Sequence, residues 1–363
     1  MKSIVSTRRG AAGLMALALA AVALPSAVHA ADPLVVRVGY ASIGVGNRLF
    51  VGGSSAATAH AEGYLEKEFA DDPGVKIEWS FFKGAGPAVN EAIANGQLDF
   101  ALQGDLPSVI GRANGLQTKL LLASGAHQAT YLAVPKGSEI RSVKDLKGHK
   151  LAIFRGTNHH LAVNKVLAAN GLSERDLKII NMDTATMSAA LATRDIDAAF
   201  GEPALLDVAG QGLADIIYST KGDNPAFERH AHILVTEAFE QAHPEITAKV
   251  VKAFVRAARW TSDEQNLDAL FEVWAKSGIP AARFRADYEG DNPKLRGSPL
   301  FDEFMIQQYR TQAEQARQFG LIRRDVDVST WFETRYLEAA LRELGLEDYW
   351  TRLDANGKPV GGS

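Results

Sequence analysis

Residues 81–115 read FFKGAGPAVNEAIANGQLDFALQGDLPSVIGRANG, and their turns and periods decide the fold. Phe81-Phe82 closes a strand that begins near Val75, and Gly84-Ala85-Gly86 turns the chain. Pro87 sits in the first turn of a helix, where a missing N–H costs nothing. That helix stops at Asn95-Gly96, a C-terminal signal. Leu98, Phe100 and Leu102 then make a short strand ending in Gly104-Asp105-Leu106-Pro107, and a second helix runs from Ser108 to Ala113. Twice, therefore, a strand edge is delivered into the start of a helix. Helix N-termini carry unpaired N–H groups and a partial positive charge, which suits an anion.

The same grammar returns about one hundred residues later. Arg194-Asp195-Ile196-Asp197-Ala198-Ala199-Phe200-Gly201-Glu202-Pro203 again gives polar turn, aliphatic-Asp, small apolar strand, Gly-acid and Pro. A repeated supersecondary unit predicts two similar α/β lobes, each presenting a Gly-acid-Pro turn. A length of 363 residues is ample for two such cores.

The amino terminus reads as an address. Lys2, Arg8 and Arg9 precede the apolar run Ala11 to Leu24, Pro25 breaks it, and Val28-His29-Ala30 offers small residues for cleavage after Ala30. This predicts a secretory signal peptide over 1–30; the run is too short and too Ala-rich for a membrane anchor. Thr7-Arg8-Arg9-Gly10 hints at twin-arginine export, but the residues that follow fit poorly. Cleavage would take the formal net charge from −4 to −7. With no basic run left, nucleic-acid binding is not expected. The chain has no Cys, hence no disulfide, thiolate nucleophile or lipidated Cys. A periplasmic protein is expected.

In order, the pattern predicts strands at Pro33–Tyr40 and Val75–Phe82, with a helix over Ser54–Phe69 between them. A strand over Lys119–Ala123, a polar break at Ser124–Gln128 and a strand from Ala129 follow. Buried strands are then expected near Leu151–Ile153, Leu177–Asn181 and Asp197–Phe200. The lobes are expected to be 31–128, then 129–222, with 223–363 returning to the first lobe through Ile216–Ser219 or His232–Val235. Helices are predicted over Ile246–Thr261, Leu267–Lys276, Phe301–Phe319 and Trp331–Leu344, with a loop at Tyr288–Pro299 and a frayed tail from Asp354.

Chemistry-bearing residues are sparse. His159-His160 point in different directions on a helix and lack a HxxxH or HxxE partner, so no metal and no cofactor is expected. His159 is still placed to face the cleft. Asp105 and Glu202 form an acid pair, one from each lobe: helix caps, holders of a ligand amine or hydroxyl, or the acid/base pair of an enzyme. No nucleophile, GxSxG or P-loop accompanies them. Arg155 is a counter-charge or a surface residue, and Phe154 or Phe200 packs in the core or against a ligand.

VRVGY at 36–40, GPAVNEAIANGQLDFALQGDLP at 86–107, LAVPKGSEIRSVKDLKGHKLAIFRGT at 132–157 and Ala168-Ala169-Asn170-Gly171-Leu172 together resemble extracytoplasmic solute-binding proteins of ABC importers. The branch is the one for aliphatic sulfonates, taurine and nitrate, and the likeness spans roughly 34–345. It implies a type II periplasmic binding fold: two α/β lobes, two crossover strands and a ligand cleft between the lobes. It further implies capture of a sulfonate or sulfate-ester anion by a monomer that docks on a membrane permease, without catalysis. A nitrate, taurine or pyrimidine-precursor receptor, an exported enzyme and a sensory partner are the alternatives. By resemblance the ligand groups fall on Ser42, on Gly84, Ala85 and Gly86, on Gly104 and Asp105, and on Gly156, Thr157 and Asn158. Phe200-Gly201-Glu202-Pro203 departs from the aromatic-Asp-Pro of many sulfonate members, so the group that reads the organic tail is open there.

Overall fold

The apolar strands pair into two five-stranded sheets. The computed structural model describes residues 32–360, and the expected signal peptide lies outside them. In chain order the strands are β1 (Leu34–Tyr40), β2 (Val75–Phe81), β3 (Phe100–Gly104), β4 (Thr118–Gln128), β5 (Tyr131–Pro135), β6 (Lys150–Ile153), β7 (Lys178–Asn181), β8 (Ala198–Gly201), β9 (Ala214–Ser219) and β10 (Arg229–Thr236). One sheet has the order β2-β1-β3-β10-β4 and the other β7-β6-β8-β5-β9. In the first, β1 runs parallel to β2 and β3 while β10 is antiparallel to β3 and β4. In the second, β6 runs parallel to β7 and β8 while β5 is antiparallel to β8 and β9. The sheets therefore repeat one another strand for strand. In each, the antiparallel insertion is the strand that has just arrived from the other sheet. This is the two-lobed α/β architecture expected above.

The helices α1 (Ser55–Ala61), α2 (Tyr64–Glu68), α3 (Ala85–Ala94), α4 (Asp105–Ala113), α5 (Asn158–Ala169), α6 (Thr184–Thr193) and α7 (Ala204–Gly210) connect strands. After β10 come α8 (Glu237–Ala242), α9 (Pro244–Thr261), α10 (Leu267–Ala275), α11 (Ala281–Tyr288), α12 (Pro293–Arg296), α13 (Glu303–Gln318) and α14 (Arg335–Leu344). Both faces of each sheet are covered. Val36, Val38, Phe100 and Leu122 pack with Phe254 and Trp274 on one face of the first sheet. Ala101, Leu120 and Leu234 pack with Val89, Leu106 and Tyr309 on the other. Strands buried on both faces read as apolar runs, as they do here. Among the described residues no helix is long and apolar enough to cross a membrane.

Several local expectations change. The single helix over Ser54–Phe69 is two, because Gly63 takes a left-handed conformation (φ 64°). The polar stretch Ser124–Gln128 is not a break: it continues β4, where Gly125 and Gln128 pair with Ala231 and Arg229 through register shifts. Ile216–Ser219 stays in the second sheet on β5, and β10 makes the return. The segment Tyr288–Pro299 contains α12, started by the Asn292 cap and Pro293. The tail does not simply fray, since Leu353 bridges Pro359.

The repeated turn also explains a glycine. A Cβ on Gly86 would lie 2.2 Å from Pro107 Cβ, so α3 and α4 approach only because residue 86 has none. Gly86→Ala is expected to lower the unfolding free energy by about 1–3 kcal/mol through overpacking. Denaturant titration checks this, and an unchanged midpoint would show that the two helices part without cost.

Candidate functional site

The carboxyl ends of β1, β3, β6 and β8 converge on a cleft between the two sheets, where open α/β folds bind ligands. It has two connected compartments. The larger, about 600 Å³, is lined chiefly by apolar groups including Ile43, Val51, Phe154, Ala185, Val208 and Phe284. The smaller, about 140 Å³, is lined by Gln103, Thr157, Asn158 and His159 among others. Ser42, Ala85, Gln128, Phe154, Thr184, Glu202 and Arg229 line both.

Arg229, the first residue of β10, is a buried cation lining both compartments, at 5% exposure; Arg296, equally buried, lines only the larger one and is paired with Asp287 and Asp291. The Nε of Arg229 donates to Thr130 Oγ1 (2.9 Å), its Nη2 to the Ala129 carbonyl (2.6 Å) and its Nη1 to Asn158 Oδ1 (3.4 Å). All three acceptors are neutral. Among the described residues no carboxylate forms an ion pair with it; Glu202, Asp287 and Asp105 act on it through space. Burial pulls its pKa down, but guanidinium stays charged at neutral pH.

Helix starts add to that charge. The caps of α3 (Gly84), α4 (Gly104) and α5 (Thr157) make no side-chain capping hydrogen bond. By contrast α1, α6 and α13 are capped by Ser54, Asp183 and Asp302. Thr157 instead spends its hydroxyl on the Phe154 carbonyl (2.7 Å). Ala85, in both compartments, holds φ at 51°, a conformation costly for a residue with a Cβ.

Glu202 faces His159 across the cleft wall. Its Oε1 accepts from Thr184 Oγ1 (2.9 Å), and its Oε2 lies 3.7 Å from His159 Nε2. Burial pushes the carboxyl up, but the contacts with His159, Arg229 and Thr184 prevail and hold it near 2. Burial, with Arg229 nearby, pushes the His159 imidazole down to about 4. At neutral pH the pair is a carboxylate beside a neutral ring, and the buried His159 Nδ1 has no partner.

Of the eleven ligand-site residues expected from the sequence, the structure brings seven to the cleft. Ser42, Ala85 and Glu202 line both compartments, and Gly104, Thr157, Asn158 and His159 the smaller. Gly84, Gly86, Asp105 and Gly156 line neither. A Cβ on Gly104 would meet the Asn158 side chain at 2.7 Å, and one on Gly156 would meet Pro87 at 2.9 Å, so both allow close packing across the lobes. Asp105 turns inward: its carboxylate accepts from the N–H of Leu106 (2.6 Å) and of His230 (3.0 Å). Arg155 lies outside and pairs with Glu174, Phe200 is core, and Phe154 reaches the cleft. Among the described residues no group of His, Cys, Asp and Glu is arranged to hold a metal. Sequence reasoning missed Arg229, Gln128 and Thr184. For Arg229 no local signal set it apart, since it opens a strand that reads RHAHILVT with two further polar rings.

Buried neutral histidines make stability pH-dependent. His159 is held near 4 and His232, bonded to Ser108 and Tyr309, near 3, both below the ordinary 6.5 and both by burial first. The unfolded chain takes up these protons below about 6.5 while the folded chain does not, so stability falls as pH drops from about 6.5 toward 4. His159 alone accounts for on the order of 3 kcal/mol across that window. Unfolding free energies at pH 7.5 and 4.5 for the wild type and His159→Gln should differ in slope. Parallel profiles would show that the ring is not held neutral.

A family model described as NMT1/THI5 like matches residues 57–266. An aliphatic sulfonates-binding protein (so named) of Bacillus subtilis (strain 168) is 29% identical over 222 residues, 60% of this chain and 64% of that protein. Its Escherichia coli (strain K12) namesake is 30% identical over 52% of this chain and 53% of its own. This chain thus spans between about half and two thirds of the curated relatives it first matches. The solved periplasmic sulfonate-binding protein SsuA of Methylobacillus flagellatus KT superposes with TM-score 0.76 at 32% identity, over 89% of this chain and 98% of that one. The alkanesulfonate-binding SsuA of Xanthomonas axonopodis pv. citri, bound to MOPS, gives 0.71 at 25%, over 84% and 100%. The desulfurization enzyme DSZB shares the fold alone, with TM-score 0.65 at 15% identity over 85% and 99%. With the family model covering more than half of the chain, and SsuA of Methylobacillus nearly all of it, this chain belongs to the NMT1/THI5-like family.

Proposed function

We propose that the protein is the extracytoplasmic substrate-binding component of an ABC importer and captures a sulfonate or sulfate-ester organic anion. The observation that carries this is Arg229: a buried guanidinium, anchored by neutral acceptors, at the wall of the cleft. Beside it stand the starts of α3 and α5, which have no side-chain caps. A sulfonate spreads one charge over three oxygens and can accept from several such donors at once, each charge-assisted bond contributing about 1.5–3 kcal/mol. Relatives named for sulfonates support the choice of anion.

In this reading residues 1–30 direct export. The lobes 31–128 with 223–363, and 129–222, close over the anion about the two crossings, and the closed monomer docks on a membrane permease. Ser42, Ala85, Thr157, Asn158 and Arg229 bind the head. The enzyme alternative needs Asp105 and Glu202 to act together, and Asp105 is sequestered by backbone N–H groups away from the cleft.

A thermal-shift screen against sulfonates, sulfate esters, taurine, nitrate and phosphonates tests the reading. A true ligand at a hundredfold excess over Kd adds about 2.7 kcal/mol of stability. Arg229→Gln is expected to weaken that ligand by about tenfold to a hundredfold. If no anion raises Tm, or Arg229→Gln folds and binds unchanged, the anion-head assignment fails.

A further inference from the structure

Helix α11 belongs to one lobe by its apolar side chains and reaches the other by its polar ones. Phe284 and Tyr288, four residues apart, are buried with Phe271 and Trp274 in the core of the first lobe. Arg283 and Asp287, also four apart, form a second stripe that touches the second lobe. Asp287 accepts from the Tyr131 hydroxyl on β5 (2.5 Å), and its backbone carbonyl accepts from Lys221 Nζ (2.6 Å). Arg283 Nε pairs with Asp207 Oδ1 on α7 (3.2 Å).

The two ends of this stripe differ. Asp287 is 2% exposed and held by Arg296 (2.8 Å). Tyr131 stands where the chain enters the second lobe and Lys221 where it leaves, so this end of α11 lies at the crossings, where the lobes move least. One turn away, Arg283 and Asp207 are each 28% exposed and make a single ion pair. Their seat is nonetheless shaped for the pair. A Cβ on Gly210, at the exposed end of α7, would lie 2.1 Å from Arg283 Nη2 and 2.2 Å from its Cζ. Gly210 keeps a helical backbone, so its bare α-carbon serves the approach of Arg283 and not a turn. The guanidinium thus lies on the carboxyl end of a helix, where unpaired carbonyls favour a cation. Arg283 itself lines neither compartment. The other pair that joins the lobes across the mouth, Lys83 with Asp183 at 3.6 Å, is long and largely exposed on the lysine side, and contributes little.

We propose, resting on the lobe closure above and not on the identity of the anion, that α11 is a latch. Asp287 stays anchored at the crossings, while Arg283 seats on Asp207 and Gly210 only in the closed form. The latch then raises the closed population without touching the ligand, and the apparent affinity of any ligand scales with that population.

The chain has no Cys, so Lys76→Cys on β2 and Lys178→Cys on β7 take nitroxide labels at unique sites. These are the edge strands farthest from the crossings, and electron–electron resonance between them reads the opening of the intact protein without ligand. Arg283→Gln is expected to raise the long-distance fraction by about twofold to fivefold. Gly210→Ala should move it the same way with every charge in place, at an exposed helical position that accepts Ala. Arg285→Gln removes an equal charge from the same helix, but its partner Asp268 lies in the same lobe, and the distances should stay those of the wild type. Raising NaCl from about 20 mM to about 500 mM should open the wild type and leave Arg283→Gln unmoved. By calorimetry, taurine and octanesulfonate should lose affinity by one common factor in Arg283→Gln. A loss confined to one of them would place Arg283 against the ligand and overturn the latch. Wild-type distances in both Arg283→Gln and Gly210→Ala, while a saturating anion shortens them, would overturn the latch and leave closure standing. One distance in every protein, with and without anion, would overturn closure itself.

Discussion

A guanidinium held out of water at the return crossing is the constraint on which the rest of the cleft depends. Arg229 opens β10, the strand that carries the chain back from the second sheet to the first, and its donors reach Ala129 and Thr130 in the outward crossing. One side chain thus ties the two crossings together. Because its acceptors are carbonyl, hydroxyl and amide oxygens, the positive charge is positioned without being cancelled. Replacing a neutral acceptor by a nearby carboxylate would stabilise the charge and cancel its field in the cleft. The Asn158 contact adds the first residue of α5, so the second lobe's helix start is set relative to the same cation.

The duplicated topology gives a second lesson. Gly104-Asp105 and Gly201-Glu202 occupy matching turns at the ends of β3 and β8, yet their acids have opposite fates. Asp105 opens α4 and is swallowed: burial raises its pKa, and the N–H groups of Leu106 and His230 satisfy it. Glu202 precedes Pro203, which caps α7 and has no N–H to offer. Its longer side chain instead reaches Thr184 on α6 and stays in the cleft, ionised. The same grammar therefore yields a buried helix-start carboxylate in one lobe and a cleft-lining carboxylate in the other.

This difference marks how far the sequence could be read. The succession of strands along the chain, two lobes and the turns at 84–86, 104–105, 156–158 and 201–203 follow from local period and turn chemistry, and the Gly-acid-Pro repeat pointed to paired lobes. What escaped depends on contacts far apart in sequence. Arg229 acts through residues about one hundred positions away, and nothing local distinguishes it from Arg155, which ended at the surface on Glu174. Gly86 and Gly104 were legible as turn residues, but their work is to let Pro107 and Asn158 approach. Ser124–Gln128 read as a break because the apolar run stops there and Gly125 is a poor strand residue; pairing with β10 carries the edge strand β4 through it.

The charges around the crossings form a graded series. Behind the cleft, Lys165 on α5 is held by the Ala226 carbonyl and pulled down to about 8 by burial, with Asp105 of the other lobe opposing that fall. Asp105 and Lys165 attract through space without touching, so the lobes are coupled electrostatically where the chain crosses between them. In front, Arg229 and Glu202 face the cleft with opposite signs, and the imidazole of His159 between them stays neutral. Were that ring charged, the junction of the two compartments would carry two cations and one anion, while the larger compartment adds Lys83, Arg296, Asp183, Asp207 and Asp287. Kept neutral, it leaves Arg229 and Glu202 as an opposed pair of charges at that junction. The burial that depresses His159 is thus also what keeps that pair balanced, one cation against one anion.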